Sequence, residues 1–388
     1  MTGLKLGGVE NGRVYALRGL STGTWDPTQG FTPVGSIPGS DLLARITDRS
    51  VLDRLLGHVA GFITTANLWP IGRHGLLATA GGELFLSTDG SRSWELVHDF
   101  PESSGPMGVL PTAVSRHEGR VYLAEYPLGD EDARVLVSDD GRQWSTYVRC
   151  PNVRHFHGLF HDPYSGALWG TTGDSDGECA IGRFEDGTFY PVGTGSQQWR
   201  AVELAFTPDS VLWGMDSSYA PAIQLLRLPR EEIPDRPAEL VSHRPIPRVV
   251  GTIDAPVFYA KSIRSGGTTW VVLSTASPTG VDSTGPADAT TGNSRVRVLA
   301  ASARSGYKTW YELFAFDRTV PLGESVPSIP TANAYAFLAT LDNQLLVNPF
   351  NTTRNHGRIL IRESSSFRDA PRMSIAGINT RTRKAIDN

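Results

Sequence analysis

Cysteine is almost missing from this chain: Cys150 and Cys179 are the only two among 388 residues. No Cys-x-x-Cys pair and no Cys/His zinc spacing can be drawn, which excludes a structural zinc finger. Two thiols permit one bridge in an oxidising compartment, but two free buried thiols are the simpler expectation. A surplus of one charge is also lacking, since 36 Lys and Arg face 40 Asp and Glu for a net charge of -4. No global field therefore draws nucleic acid or an anionic membrane, and neither is expected as a partner. No apolar run approaches the ~20 residues of a membrane span. Met1-Thr2-Gly3-Leu4-Lys5 lacks the basic-then-apolar pattern of a secretory leader, leaving the compartment open between the cytoplasm and export by another route. There is no phosphate-cradling Gly-Lys-Ser/Thr loop, no Gly-x-Ser-x-Gly elbow and no His-Glu-x-x-His helix.

Turn formers are plentiful instead. Gly contributes 41 residues and Pro 26, with 9% aromatics, a mixture that suits many short strands joined by tight turns. One helix is expected over residues 40–58, where Leu42, Leu43, Ile46, Leu52 and Leu55 recur at helical spacing behind a Ser40 or Asp41 cap. Elsewhere an apolar run recurs seven times, starting at Val14, Leu76, Val121, Leu168, Leu212, Trp270 and Leu345. From Leu76 to Leu212 the interval is roughly 45 residues, the spacing of four-stranded propeller blades. The expected architecture is all-β: a seven-bladed propeller over residues 1–364, with six blades as the alternative and 365–388 as a tail that frays. A strand near Arg358 to Arg362 is expected to pair with an N-terminal strand and close the ring.

A second repeat lies inside the first. Ser87-Thr88-Asp89-Gly90-Ser91-Arg92-Ser93-Trp94 and Ser138-Asp139-Asp140-Gly141-Arg142-Gln143-Trp144 both run Ser-x-Asp-Gly and then Trp. Weaker copies start at Glu185 and Ser302. The expected form is a hairpin in which Asp accepts backbone N–H bonds, Gly takes a positive φ and Trp packs beneath. These residues resemble the Asp box, or BNR repeat, of sialidase-like β-propellers. The resemblance implies that fold over most of the chain, with the boxes away from the face that does chemistry.

The densest chemistry lies in Arg154-His155-Phe156-His157-Gly158-Leu159-Phe160-His161, which holds three of nine histidines. On a strand His155 and His157 share a face, and an imidazole needs a hydrogen-bond partner there, so this strand is expected to line a pocket. The residues leading into the recurring runs are further candidates, because in a propeller they form the innermost strands. Together with Tyr126 and Asp216 at the ends of those runs, they supply substrate contacts from Trp69, Arg73, Arg116, Arg154, Trp199, Asp216, Tyr259 and Arg264, and catalytic groups from His155, His157, Tyr126, Arg200 and Glu203. Cations, imidazoles and carboxylates drawn from several blades suit an anionic polysaccharide.

Three functions compete. Cleavage of a uronate polymer by β-elimination needs a cation on the carboxylate, a His or Tyr base and an acid for the leaving oxygen. Glycoside hydrolysis would use paired carboxylates among Asp174, Asp176, Glu178, Glu203 and Asp216. The chain departs from the sialidase pattern at Leu68-Trp69-Pro70-Ile71-Gly72-Arg73, which lacks the Arg-Ile-Pro order. A non-catalytic glycan- or protein-binding propeller is the third. A divalent metal fits any of them: Mn or Zn on His155, His157 and His161, or Ca in Asp174-Ser175-Asp176-Gly177-Glu178, where a turn with acids capping backbone amides is preferred.

Overall fold

The computed structural model describes residues 3–38, 65–217, 220, 222–236, 239–240, 244–277, 295–319 and 333–373. The helix expected over 40–58 lies outside the described residues. Strands fall into seven antiparallel sheets. Blade one is Lys5–Glu10, Arg13–Arg18, Ser21–Asp26 and Gly30–Ser36 (β1–β4). Blade two is Asn67–Pro70, Leu76–Ala80, Glu83–Ser87 and Glu95–Asp99 (β5–β8). Blade three is Val114–His117, Arg120–Ala124, Ala133–Ser138 and Ser145–Cys150 (β9–β12), and blade four is Phe156–His161, Leu168–Thr172, Ala180–Glu185 and Thr188–Thr194 (β13–β16). Ala205–Phe206, Ser210–Gly214, Ile223–Pro229 and Arg248–Ile253 (β17–β20) make blade five. Val257–Ser265, Thr268–Thr275, Arg295–Ser302 and Trp310–Asp317 (β21–β24) make blade six. Blade seven has three strands, Tyr335–Leu341, Gln344–Phe350 and Leu360–Glu363 (β25–β27). The protein is a seven-bladed β-propeller, and the seven apolar runs are the second strands of its blades.

Those second strands are largely apolar because blades cover both of their faces; β6, β14 and β18 are buried at every residue. The core accordingly lies between blades. One cluster joins blades six, seven and one, and another joins two, three and four.

The first strand of each blade is innermost: β1 packs on β5 and on β25, β9 on β13, and β21 on both β17 and β25. Ring closure differs from expectation. Leu360–Glu363 pairs with β26, not with an N-terminal strand. The ring is closed by a side-chain amide: Asn348 Oδ1 accepts from Leu6 N at 2.8 Å, while its Nδ2 donates to the carbonyls of Leu4 and Arg358 at 3.1 and 2.9 Å. An amide can satisfy three backbone groups at once, which suits a seam where two strands meet without pairing. The chain beyond Ser364 does not fray over the described residues: Phe367 is fully buried and Met373 N bonds the Trp310 carbonyl.

The Ser-x-Asp-Gly turns join third and fourth strands of blades two and three. Asp89 Oδ1 accepts from Arg92 N and Ser93 N at 3.0 Å, and Asp140 Oδ1 from Arg142 N and Gln143 N at 2.8 and 3.2 Å. The turns at Asp186-Gly187 and Ser302–Trp310 occupy the same place in blades four and six. Third strands run away from the face where innermost strands begin, so all four turns lie on the opposite face.

Candidate functional site

Each innermost strand begins on one face of the ring, where each second strand ends. The loops there bring Tyr126, which follows β10, together with His155 at the start of β13, Asp174 after β14, Arg200 before β17 and Asp216 after β18. Blades three, four and five thus each supply part of one cluster.

Asp174 is its hub. Its Oδ1 lies 3.0 Å from Arg200 Nη2 and 3.6 Å from His157 Nε2. Its Oδ2 lies 3.2 Å from Arg154 Nη1 and 3.4 Å from His155 Nε2. Arg200 Nε reaches Asp216 Oδ2 at 3.5 Å, so one guanidinium spans two carboxylates. Partial burial pushes the Asp174 carboxyl up, but the His157 hydrogen bond and the charges of His155, His157 and Arg200 win and hold it well below the carboxylate range. Asp174 is therefore ionised at neutral pH and cannot donate a proton there.

The two imidazoles sit behind it. His155 is 0% exposed, His157 2%. His157 Nδ1 faces the Ala201 carbonyl at 3.1 Å and so donates to it, while its Nε2 points towards Asp174. Among the described residues His155 has no hydrogen-bond partner at either nitrogen. Its ring lies against Tyr126, centroids 4.0 Å apart, and 5.1 Å from the His157 ring. Burial, with His157 adding, lowers its pKa to about 3, so it is neutral at pH 7. Burial likewise pushes the Tyr126 phenol well up, helped by the charges of Asp174 and Asp216, and the hydroxyl keeps its proton.

His155, His157 and Asp174 each offer one ligand atom, all within 4.8 Å of one another. The Nδ1 bond of His157 to a carbonyl is the outer contact a metal-bound imidazole uses, and His155 has nitrogen lone pairs to spare, so the set fits a divalent metal of the Mn or Zn type. Calcium finds no such convergence at 174–178. Glu178 accepts from Ser175 N and Oγ, and Asp176 from Gln197 Nε2, which makes the segment the capped turn preferred from its sequence.

The remaining sequence candidates are placed differently. His161, Arg73, Arg116 and Arg264 lie at or beyond the far ends of innermost strands. A six-residue strand spans ~20 Å, so these residues emerge on the opposite face. There the His161 ring lies tilted against His117 at 5.7 Å and Arg116 pairs with Glu10 at 3.0 Å. Four more are spent on structure. Glu203 accepts from Ala260 N at 2.8 Å and pairs with Lys261, which ties blade five to blade six. Trp69 donates Nε1 to the Pro111 carbonyl at 2.7 Å. Trp199 stacks on Trp213 at 5.4 Å over Gly193, where an added Cβ would stand 2.0 Å from the indole. Tyr259 is buried between Tyr335 and Phe337. The sequence offers Asp174 only as one of five carboxylates for hydrolysis and as part of a calcium loop, because nothing local distinguishes it from Asp176 two residues on. Cys150 and Cys179 are free thiols, pushed up to about 11 and about 12 by burial.

Among the described residues no helix is long and apolar enough to cross a membrane. No protein-family model matches this chain, and no curated protein does. Among solved structures the chain is similar to a Hadza microbial sialidase, at 14% identity and a TM-score of 0.45, over 92% of this chain and 74% of that one. It is also similar to an ancestral GH74 enzyme, at 10% identity and a TM-score of 0.48, over 93% of this chain and 46% of that one. A third is the soluble aldose sugar dehydrogenase of Escherichia coli, at 10% identity and a TM-score of 0.39, over 70% and 96%.

Proposed function

We propose that the chain is a carbohydrate-active enzyme that cleaves a uronate-containing polysaccharide by β-elimination at the Asp174 cluster. The observation that carries this is the pair of guanidinium groups, Arg154 and Arg200, gathered on one partly exposed carboxylate in front of two imidazoles and a protonated tyrosine. A substrate carboxylate would compete with Asp174 for both guanidinium groups, and charge pairing there acidifies the C–H beside the carboxylate. A neutral imidazole takes that proton, the C–H electrons form the new C=C bond, and the C–O bond breaks. Tyr126 gives its proton to the leaving oxygen. The buried histidines become accessible only if Asp174 swings off them as the substrate carboxylate replaces it. A divalent metal held by His155, His157 and Asp174 would polarise a substrate carboxylate in place of the guanidinium clamp, and would engage the imidazoles that otherwise serve as base. Elimination is favoured over hydrolysis by paired carboxylates because hydrolysis needs one protonated acid, and Asp174 is held charged.

The burial of both imidazoles supports a second reading, a glycan-binding propeller in which Arg154 and Arg200 hold an acidic sugar without reaction. One assay separates them. A panel of uronate polysaccharides is followed for the ultraviolet absorbance of an unsaturated product and for new reducing ends, with Mn, Zn and Ca each added. Both signals should rise, and Arg200→Gln should lower kcat/KM by about 100-fold, the loss typical of one charged contact in the transition state. Reducing ends without the absorbance would mean hydrolysis. Silence across the panel, with retained binding, would leave the binding module.

A further inference from the structure

The face opposite the Asp174 cluster carries a cavity of about 840 Å³ at the junction of blades three, four and five. That volume falls in the range of small-ligand sites. The anomaly in its wall is Arg183, on β15. It is 6% exposed, yet among the described residues no carboxylate lies within ion-pair distance of it. Its Nη2 donates to the Pro234 carbonyl at 2.5 Å, its guanidinium lies 5.9 Å from the Trp169 ring centre, and among the described residues its Nε makes no hydrogen bond. Arginine is rarely this buried without a counter-ion. The other cations of the wall are satisfied: Arg230 holds Asp162 at 2.6 and 2.8 Å, and Arg120 holds Asp139 at 2.9 Å.

Around Arg183 the wall is aromatic. Tyr122 and Tyr147 meet edge to face at 5.1 Å, with Phe184 a further 6.2 Å from Tyr147. The acids of the lining, Glu118, Glu185, Asp186 and Asp235, are all exposed and so stand at the rim. The cavity thus runs from an unpaired buried cation, past ring faces, to a mouth of hydrogen-bond acceptors. A flat ring with a carboxylate at one end and hydroxyl donors at the other matches that order. An acid without hydroxyls would meet only repulsion at the rim.

We propose that this cavity is a second saccharide site, which seats a uronate ring with its carboxylate on Arg183, its face on the Tyr122–Tyr147 pair and its hydroxyls on the rim carboxylates. It touches no residue of the Asp174 cluster and serves to hold the polymer. The choice of a uronate over another hydroxylated acid rests on the proposed function.

The test is calorimetric titration of the full chain with digalacturonate. The unmodified protein should show two sites. Arg183→Gln should weaken one of them about tenfold or more, as loss of a charge-assisted pair does, and leave the other in place. Tyr147→Ala, which leaves the guanidinium untouched, should weaken the same site, with melting temperatures showing that both variants fold. Arg200→Gln should spare it. Unchanged titrations for Arg183→Gln and Tyr147→Ala would overturn the proposal. Polymer cleavage without Arg183-dependent binding defeats this site alone. Binding that depends on Arg183 without any cleavage keeps it and defeats the enzymatic reading.

Discussion

His155 can be tested through the acid stability of the whole protein. Folded, its pKa is about 3, against 6.5 for the free side chain. The unfolded chain therefore takes up the proton first on acidification, so stability is level above about pH 6.5 and falls as pH drops towards 3. At about pH 4.5 the unfolded imidazole is two units below its pKa, and the folded one is still neutral. Linkage then removes roughly 2–3 kcal/mol relative to pH 7, at 1.36 kcal/mol per unit. The full burial of the side chain, 0% exposed, means that solvent screening takes little from this figure. His155→Phe keeps a ring against Tyr126 and removes the titration. Urea unfolding of both proteins at neutral pH and at about pH 4.5 isolates the effect, because His117, also lowered by burial, contributes equally to both. The unmodified protein should lose about 2–3 kcal/mol more than the variant on acidification. Parallel losses would refute the account of His155 as a buried neutral base.

Two further outcomes concern the frame. Asn348→Ala should cost about 2–4 kcal/mol, since it strands the Leu6 N–H and the carbonyls of Leu4 and Arg358 at the closure; a thermal melt within a degree of the unmodified protein would place closure elsewhere. Asp162 is 0% exposed and bidentate with Arg230, so Asp162→Asn should cost about 3–5 kcal/mol in denaturant titration, by leaving a largely buried cation without its partner.

Local chemistry made much of the fold readable. A second strand covered on both faces is apolar along most of its length, so seven such runs announced seven blades. A Ser-x-Asp-Gly turn satisfies its own backbone, so its place between third and fourth strands needed no distant partner. What the chain alone could not settle was depth along the ring axis. His161 shares β13 with His157, Arg116 and Arg264 end other innermost strands and Arg73 follows β5, and only the length of those strands, ~20 Å for six residues, puts them on the other face. Nor could it tell Asp174 from Asp176, because the guanidinium groups that single out Asp174 come from Arg154 and from Arg200, the latter 26 residues downstream. The closure amide of Asn348 lies 342 residues from the N–H it caps. Periodicity and turn chemistry are properties of neighbours in sequence and were fixed there; the meeting of charges across blades is a property of the closed ring and was decided by it.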